Sequence, residues 1–547
     1  MTEQIASTTV PQSPRQALAI SAVHYTAHEF LHIPLSACRH YADEAISISY
    51  GEMDGQITAA SDCWGRTGVN GRVALMLENR PEFFIHWLAL NALGISVIPL
   101  NHEMPDDEIP YYLEHGEAVA ICAVPAHLPR LQGIVKKHGL GIEVITPDTV
   151  GELKIGETAR VLQSDLNAEC ALLYTSGSTG KPKGCVLNND YFLQQGYWYD
   201  NLKGLATLQP GKERLLTPLP LSHMNAMSVS SMAMIMTGGC LIQLDRFHPS
   251  TWWQTVREAR ATALHYLGVL PAILLDMPEQ DNDWIGDTVR FGFGAGVNPK
   301  HHLRFEERFG FPLLEAWAMT ECGAGGAIIA NHEPRHIGSC CFGKPNEQIE
   351  WQLVDENKQP VAMGEPGELR VRAAGESPRN GYFSGYLKNP EATAEAWQDG
   401  WLNTGDVVRE LPDGALCFVD RRKNVIRRSG ENISALEVEA VVNEHPAVSV
   451  AVATAVPDDM RGDEVALVVV ANHDYPAEIQ TAQAIQDFAL NNLVYFKAPG
   501  WVVFIEQLPV TASNKPKRAD IKALAKAALE NGQAVDLRST KKRRHTP

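Results

Sequence analysis

Apolar residues recur along the first two thirds of the chain in short runs, separated by longer stretches with helical spacing. Val73–Leu77 and Val97–Leu100 are apolar runs of buried-strand length. Between them, Pro81–Leu93 spaces its apolar residues as a helix does, behind a proline suited to a first helical turn. That is a βαβ unit. Ala118–Val124, Cys170–Tyr174, Leu215–Pro218, Cys240–Leu244 and Ala263–Val269 repeat the strand pattern, with helical stretches such as Ser250–Ala259 between them. The alternation predicts an α/β domain on largely parallel sheet. After about Gly364 the pattern changes. GEPGELRVR, NGYFSGYLKNP and DGWLNTGD are glycine-rich with short strands, which predicts a small β-rich subdomain. It changes again after Asp420, where the basic run RRKNVIRRSGENIS leads into a helix over Ala435–His445. Strands over Val448–Val456, Val465–Ala471 and Trp501–Ile505, and a helix near Ala482–Leu493, complete an α+β pattern. The expected order is a flexible leader (1–16), a large N-terminal α/β domain with its β-rich subdomain (17–422), a small C-terminal domain (423–530) and a flexible basic tail (531–547).

Length and composition narrow the picture. A chain of 547 residues exceeds what one hydrophobic core holds, so at least two domains are expected. With 45% hydrophobic and 20% charged residues, it has the composition of a soluble globular protein. A net charge of -18 argues against a nucleic-acid or anionic-membrane binder. The ten cysteines contain no C-x-x-C pair, which predicts reduced, mostly buried thiols and a cytoplasmic setting. The opening MTEQIASTTVPQSPRQ lacks the apolar core of a secretory signal, and the apolar run Phe84–Leu100 is broken by His86, Asn91 and Pro99.

The chemistry begins at Tyr174–Gly184, YTSGSTGKPKG. Hydroxyls of Thr175, Ser176, Ser178 and Thr179 alternate with Gly177 and Gly180, and Lys181 and Lys183 follow. Small residues let backbone N–H groups approach phosphate oxygens, hydroxyls add donors, and lysine adds mobile positive charge. No G-x-x-x-x-G-K-[ST] can be read here, so this is not a Walker loop. The string resembles the phosphate-binding signature of the adenylate-forming superfamily: acyl-CoA synthetases, firefly-type luciferases and peptide-synthetase adenylation domains.

The superfamily's other signatures follow in order. Phe293–Val297, FGAGV, resembles the loop along the adenine, implicating Gly294, Ala295 and Gly296. Ala316–Gly323, AWAMTECG, resembles the Y-G-x-T-E motif. By that resemblance Trp317 packs on the adenine, Thr320 contacts the α-phosphate and Glu321 holds Mg²⁺. GWLNTGD resembles the ribose motif, with Asp406 accepting from the ribose hydroxyls and Arg421 beside it. Asp420 stands where glycine is usual before that arginine. Lys423 falls at the superfamily's hinge, which implies a mobile C-terminal domain. SGENISALEVE resembles the segment brought to coenzyme A, here Gly430, Glu431 and Asn432. LPVTASNKPKR resembles the segment of the catalytic lysine, which assigns that role to Lys515, with Asn514 replacing the usual glycine. His223, in PLPLSHMNAM, falls where acyl-CoA synthetases commonly carry a histidine lining the acyl or pantetheine channel. FVDRRKNVIRRSGENIS and NPEATAEAW most resemble the crotonobetaine/carnitine–CoA ligase branch.

The resemblance implies an ATP-dependent carboxylic acid:CoA ligase, with Mg²⁺ as cofactor and ATP and CoA as co-substrates. Gln194, Gln195, Tyr197, Trp198 and Asn225 suggest a small, polar or aromatic acid rather than a long fatty chain. A stand-alone enzyme loading a carrier protein is the alternative. A luciferase-type oxygenase shares every motif and is separated by assay alone. A non-enzymatic nucleotide sensor is expected to lose Glu321, Asp406 or Lys515, and all three are present.

Overall fold

A computed structural model describes residues 10–156, 165–175, 181–429, 431–510 and 516–541. Two large sheets carry the N-terminal part. In the first, the parallel strands Glu169–Thr175, Val97–Pro99, Arg72–Met76, Ala118–Ala123 and Glu143–Ile145 lie side by side. Lys183–Asn188 and Gly385–Tyr386 close its other edge antiparallel. The second sheet has eight strands. Its parallel centre runs Leu313–Trp317, Phe291–Ala295, Ala263–Leu267, Arg214–Thr217, Cys240–Gln243, Glu29–Ile33, with an antiparallel strand at each end. The expected βαβ unit is present, with its helix over Pro81–Ala92.

That helix is buried on nearly every side, which explains its lack of a polar face. Its His86 accepts from the Trp64 indole at 2.9 Å, and burial drives the imidazole down to about 4, so it stays neutral. Asn91 is equally buried and bonds Asn189 at 2.7 Å. Both polar residues interrupt the apolar run without exposing it.

The β-rich part is an antiparallel sheet of Ile349–Val354, Gly367–Ala373, Trp401–Glu410, Trp397–Gln398 and Leu416–Arg421. Cys341 and Cys417 form an isolated β-bridge with their sulfurs adjacent, and the other eight cysteines are free, six of them buried. A 3₁₀ turn over Arg422–Asn424 leads into the C-terminal unit. This unit has its own sheet, in which Val448–Asp458 and Gly462–Ala471 form a long hairpin. Its own apolar core runs from Ile426 to Leu537.

Two expectations at the ends are corrected. The leader is structured from residue 10, and Ser13 caps a helix over Pro14–His24. The tail is packed as far as Lys541: Val535–Asp536 pairs with Trp501–Phe504, and Leu537 is buried. Leu537 and the partly buried Val535 pack on the core of the C-terminal unit, too short a pair to give a periodic signal. Residues 542–547 lie outside the described residues. Among the described residues no helix is long and apolar enough to cross a membrane.

Candidate active site

The predicted phosphate loop is carried by the hairpin of Glu169–Thr175 and Lys183–Asn188, whose last ladder pair before the loop is Thr175 with Lys183. Ser176, Gly177, Ser178, Thr179 and Gly180 lie outside the described residues. Thr175 Oγ1 stands 3.4 Å from Glu321 Oε1, bringing together residues 146 positions apart. The same carboxylate oxygen accepts from the Tyr386 hydroxyl at 2.8 Å, and the Lys183 ammonium sits 4.9 Å over the Tyr386 ring. Tyr386 was not foreseen. It arrives because Gly385–Tyr386 pairs with Val186 and Cys185, a register the sequence does not announce.

The base side is set by adjacent strands. Phe291–Ala295 and Leu313–Trp317 are neighbours, with Gly294 opposite Glu315. Glu315 accepts from the backbone N–H of Gly296 at 2.9 Å and of Val297 at 2.8 Å, fixing the FGAGV loop as it leaves its strand. Gly296 has φ +79°, a conformation that favours glycine, and a Cβ on Gly268 would lie 1.7 Å from the Gly296 carbonyl. Glu315 is thus a supporting residue that motif reading missed.

Trp317 ends the strand Leu313–Trp317, and Thr320 and Glu321 lie in the turn just beyond it. The Trp317 indole N–H donates to Asp406 Oδ2 at 2.9 Å, joining the expected adenine wall to the expected ribose acceptor. Asp406 and Arg421 are cross-strand partners, with Arg421 Nε 2.7 Å from Asp406 Oδ1. Both carboxylate oxygens are thus engaged, and the carboxylate is buried. Burial pushes the Asp406 carboxyl above its ordinary range, while Arg421 and the Trp317 N–H pull it back.

His223, expected on the acyl side, is solvent-exposed. It precedes a π-helical turn, Asn225–Ser230, of a kind frequent at functional sites. The turn is tied inward: His265 Nδ1 lies 2.9 Å from Asn225 Oδ1 and 2.8 Å from Ser230 Oγ, and its Nε2 lies 3.1 Å from the Tyr199 hydroxyl. Burial drives His265 down to about 3, so this network is neutral. Trp198 and Tyr199 pack on Phe293, next to Gly294.

Lys423 lies in the turn between the units, with Arg421, Arg518 and Asp406 as its charged neighbours. Glu431 and Asn432 belong to the strand Glu431–Ile433 of the C-terminal unit, which pairs antiparallel with Ile426–Arg428. Gly430 and Lys515 lie outside the described residues. The flanks of Lys515 are described: Val510 bridges Pro516, and the Lys517 ammonium stands 3.5 Å from Glu108 of the large unit. Glu108 caps the helix Ile109–His115, whose Tyr111 hydroxyl donates to the Pro182 carbonyl at 2.8 Å.

Against known families, residues 28–387 match the model of the AMP-binding enzymes and residues 437–515 that of the AMP-binding enzyme C-terminal domain. The chain belongs to the AMP-binding enzyme family. Within this family it is of the adenylate-forming acyl-CoA synthetase kind. Crotonobetaine/carnitine–CoA ligases of Escherichia coli O45:K1 and Shigella sonnei are each 27% identical over 496 residues, covering 87% of this chain and 93% of theirs. Among solved structures of the fold, o-succinylbenzoate CoA synthetase of Bacillus subtilis, in complex with its acyl-adenylate intermediate, superposes with a TM-score of 0.77. It is 22% identical, covering 94% of this chain and 99% of its own. ATP-bound MatB of Rhodopseudomonas palustris gives 0.77 at 21% identity, over 93% and 98%. In this AMP-binding enzyme Thr175 meets Glu321, and Trp317 and Arg421 both meet Asp406.

Proposed function

We propose that the protein is an ATP-dependent carboxylic acid:CoA ligase for a small, polar or aromatic acid, working in the cytoplasm. The observation that carries this reading is the joined set Trp317, Asp406 and Arg421, which brings an indole beside a buried carboxylate and its arginine. A nucleoside fits there, its base along Gly294–Gly296 and Trp317 and its ribose on Asp406.

In the first step a carboxylate oxygen of the acid attacks the α-phosphorus of ATP. The bond to the β-phosphate oxygen breaks, pyrophosphate leaves and an acyl-adenylate remains. Two anions must meet, so the site has to supply preorganised positive charge and donors. The loop from Thr175 to Lys183 and Lys515 are the residues for that work, with Thr320 at the α-phosphate. The oxygen donors Glu321 and Thr175 would suit a hard cation. Mg²⁺ held there supplies charge neutralisation on the phosphates. In the second step the sulfur of CoA attacks the acyl carbonyl, and AMP leaves. The hairpin at Gly430, Glu431 and Asn432 is the surface for CoA, brought in by rotation at Lys423. His223 lines the channel between the two half-sites. The neutral aromatic network Tyr199–His265–Asn225 and the Trp198–Phe293 pair support a compact acid over a long apolar chain.

The test is a panel of carboxylic acids scored for CoA-dependent AMP release with Mg²⁺, spanning short polar, branched, aromatic and long-chain members. At least one compact acid should give turnover that stops when CoA is omitted. Turnover confined to long-chain acids would overturn the substrate class. Lys515→Ala should slow acid-dependent ATP–pyrophosphate exchange by about 100-fold or more; exchange at the wild-type rate would remove Lys515 from the mechanism.

A further inference from the structure

The C-terminal segment runs along a defined track. Leu537 N–H donates to the Gly500 carbonyl at 2.9 Å, and Gln486 Nε2 donates to the Leu537 carbonyl at 2.8 Å. Arg538 pairs with Asp458 at 3.0 Å and lies 4.4 Å over the Trp501 ring. Thr540 Oγ1 donates to Gln486 Oε1 at 2.6 Å. The track ends at Lys541, whose ammonium stands 2.6 Å from Glu464 Oε1. Glu464 is fully buried, and Arg428 Nε lies 2.9 and 2.8 Å from its two oxygens. All three side chains are at most 3% exposed. Gly500 leaves the room for this: a Cβ there would lie 2.5 Å from Glu464 Cγ.

Burying three charges is a poor way to gain stability, because desolvation offsets most of the attraction. Its best-attested use is to fix an arrangement. What this one fixes is specific. Arg428 is the last residue of the strand Ile426–Arg428, opposite Glu431 in one direction and Gly462 in the other. Ser429, next along, has φ +54° and donates to the Arg461 carbonyl at 2.8 Å. Glu464 therefore grips the residue from which the Ser429–Ile433 hairpin departs. Arg428 already balances the Glu464 charge and the Val465 N–H donates to Oε1 at 2.9 Å, so what Lys541 adds is a hydrogen bond that ties the tail to this carboxylate.

We infer that Lys541 is a positioning residue for the thiol acceptor: by donating to Glu464 Oε1, it fixes the carboxylate that holds Arg428 and the hairpin beyond it in the register that receives CoA. The inference rests on the reading of that hairpin as the CoA surface. Its test uses the full-length enzyme and Lys541→Met, Lys541→Gln and Lys541→Arg variants. Three quantities are compared: ATP–pyrophosphate exchange, the KM for CoA with kcat, and melting temperature. Lys541→Met should raise the KM for CoA about tenfold and leave exchange within about twofold. Lys541→Gln, which keeps a donor to Glu464 without the charge, should fall between, and Lys541→Arg should restore the wild-type KM. Amide hydrogen exchange at Ser429 and Glu431–Ile433 should quicken in Lys541→Met. An unchanged KM for CoA in Lys541→Met overturns the inference. So does a uniform fall of exchange, kcat and melting temperature that Lys541→Arg does not rescue. If Lys541→Met fails to fold, Lys541→Gln decides by the same split. A wild-type enzyme that exchanges pyrophosphate but transfers no acyl group to CoA fails at the prior reading, and is told apart by that result alone.

Discussion

Glu315 holds the Gly296–Val297 loop with a carboxyl group that burial pushes up to about 7, against the pull of the two N–H donors. Its ordinary value is 4.5. Between these values the folded protein keeps a proton that the unfolded chain has released. Stability therefore falls as pH rises from about 4.5 to about 7, and the loss is complete above that window. Glu315→Gln cannot ionise. Measured by chemical denaturation, the wild type should lose about 3 kcal/mol relative to Glu315→Gln across the window. A constant difference from pH 5 to 8 would show that this carboxyl does not titrate there. At a fixed pH above the window, Glu315→Gln should also raise the KM for ATP several-fold. An amide offers one acceptor, so one of the two loop N–H groups goes unpaired.

At the scale of elements, Asp420 joins the end of one strand to the start of a helix. It is fully buried at the end of Leu416–Arg421. Its Oδ2 accepts from Ser434 Oγ at 2.9 Å and from Leu436 N–H at 3.2 Å, and its Oδ1 accepts from Arg421 N–H at 2.6 Å. Ser434 is itself the cap of the helix Ala435–Val442, where a negative charge is favourable. One carboxylate thus latches the C-terminal unit across the Arg422–Asn424 turn. Asp420→Ala should destabilise the protein by about 2–4 kcal/mol, because several buried donors lose their acceptor. It should also slow pyrophosphate exchange more than thioester formation from supplied acyl-adenylate; the reverse order would rule out a latch that favours the present orientation. Much of this scale could be read in advance. The parallel strands are continuous apolar runs, and the glycine and hydroxyl motifs sit where those strands end. Glu315 and Tyr386 could not be read. Each acts through cross-strand register, Glu315 beside Gly294 and Tyr386 beside Cys185, and register between distant strands leaves no local pattern. The packed tail was hidden for the same reason, since its partners Gln486 and Glu464 lie far back in the chain.

Across the whole molecule, the two units meet through sparse charged contacts besides the Asp420 latch. Lys517 faces Glu108 at 3.5 Å, Lys300 pairs with Glu444, and Arg427 pairs with Glu356. Exposed pairs of this kind contribute about 0–1 kcal/mol each and are screened by salt. Apart from that latch the orientation rests on weak pairs, so it can be exchanged for another, as two successive half-reactions on one site require. The connecting run Arg421–Lys423 is exposed and basic, which makes it a trypsin target. A variant carrying Glu108→Ala, Glu356→Ala and Glu444→Ala should be cut there faster than the wild type, by about threefold or more, with the gap closing at high salt. Equal rates at low salt would mean that these pairs do not hold the orientation.

The π-helical turn Asn225–Ser230 has a consequence of a different kind. It carries one residue more per turn than an ordinary helix, so it marks a place where chain length has been adjusted. Deleting one residue there would wind it into regular helix and swing what precedes it by roughly 100° about the axis. Asn225 would then point away from His265, while Trp317 and Asp406 stayed where they are. The wall proposed to face the acid is thus open to remodelling by insertion and deletion, and an evolving pocket can change its shape in one genetic step that no point substitution reproduces.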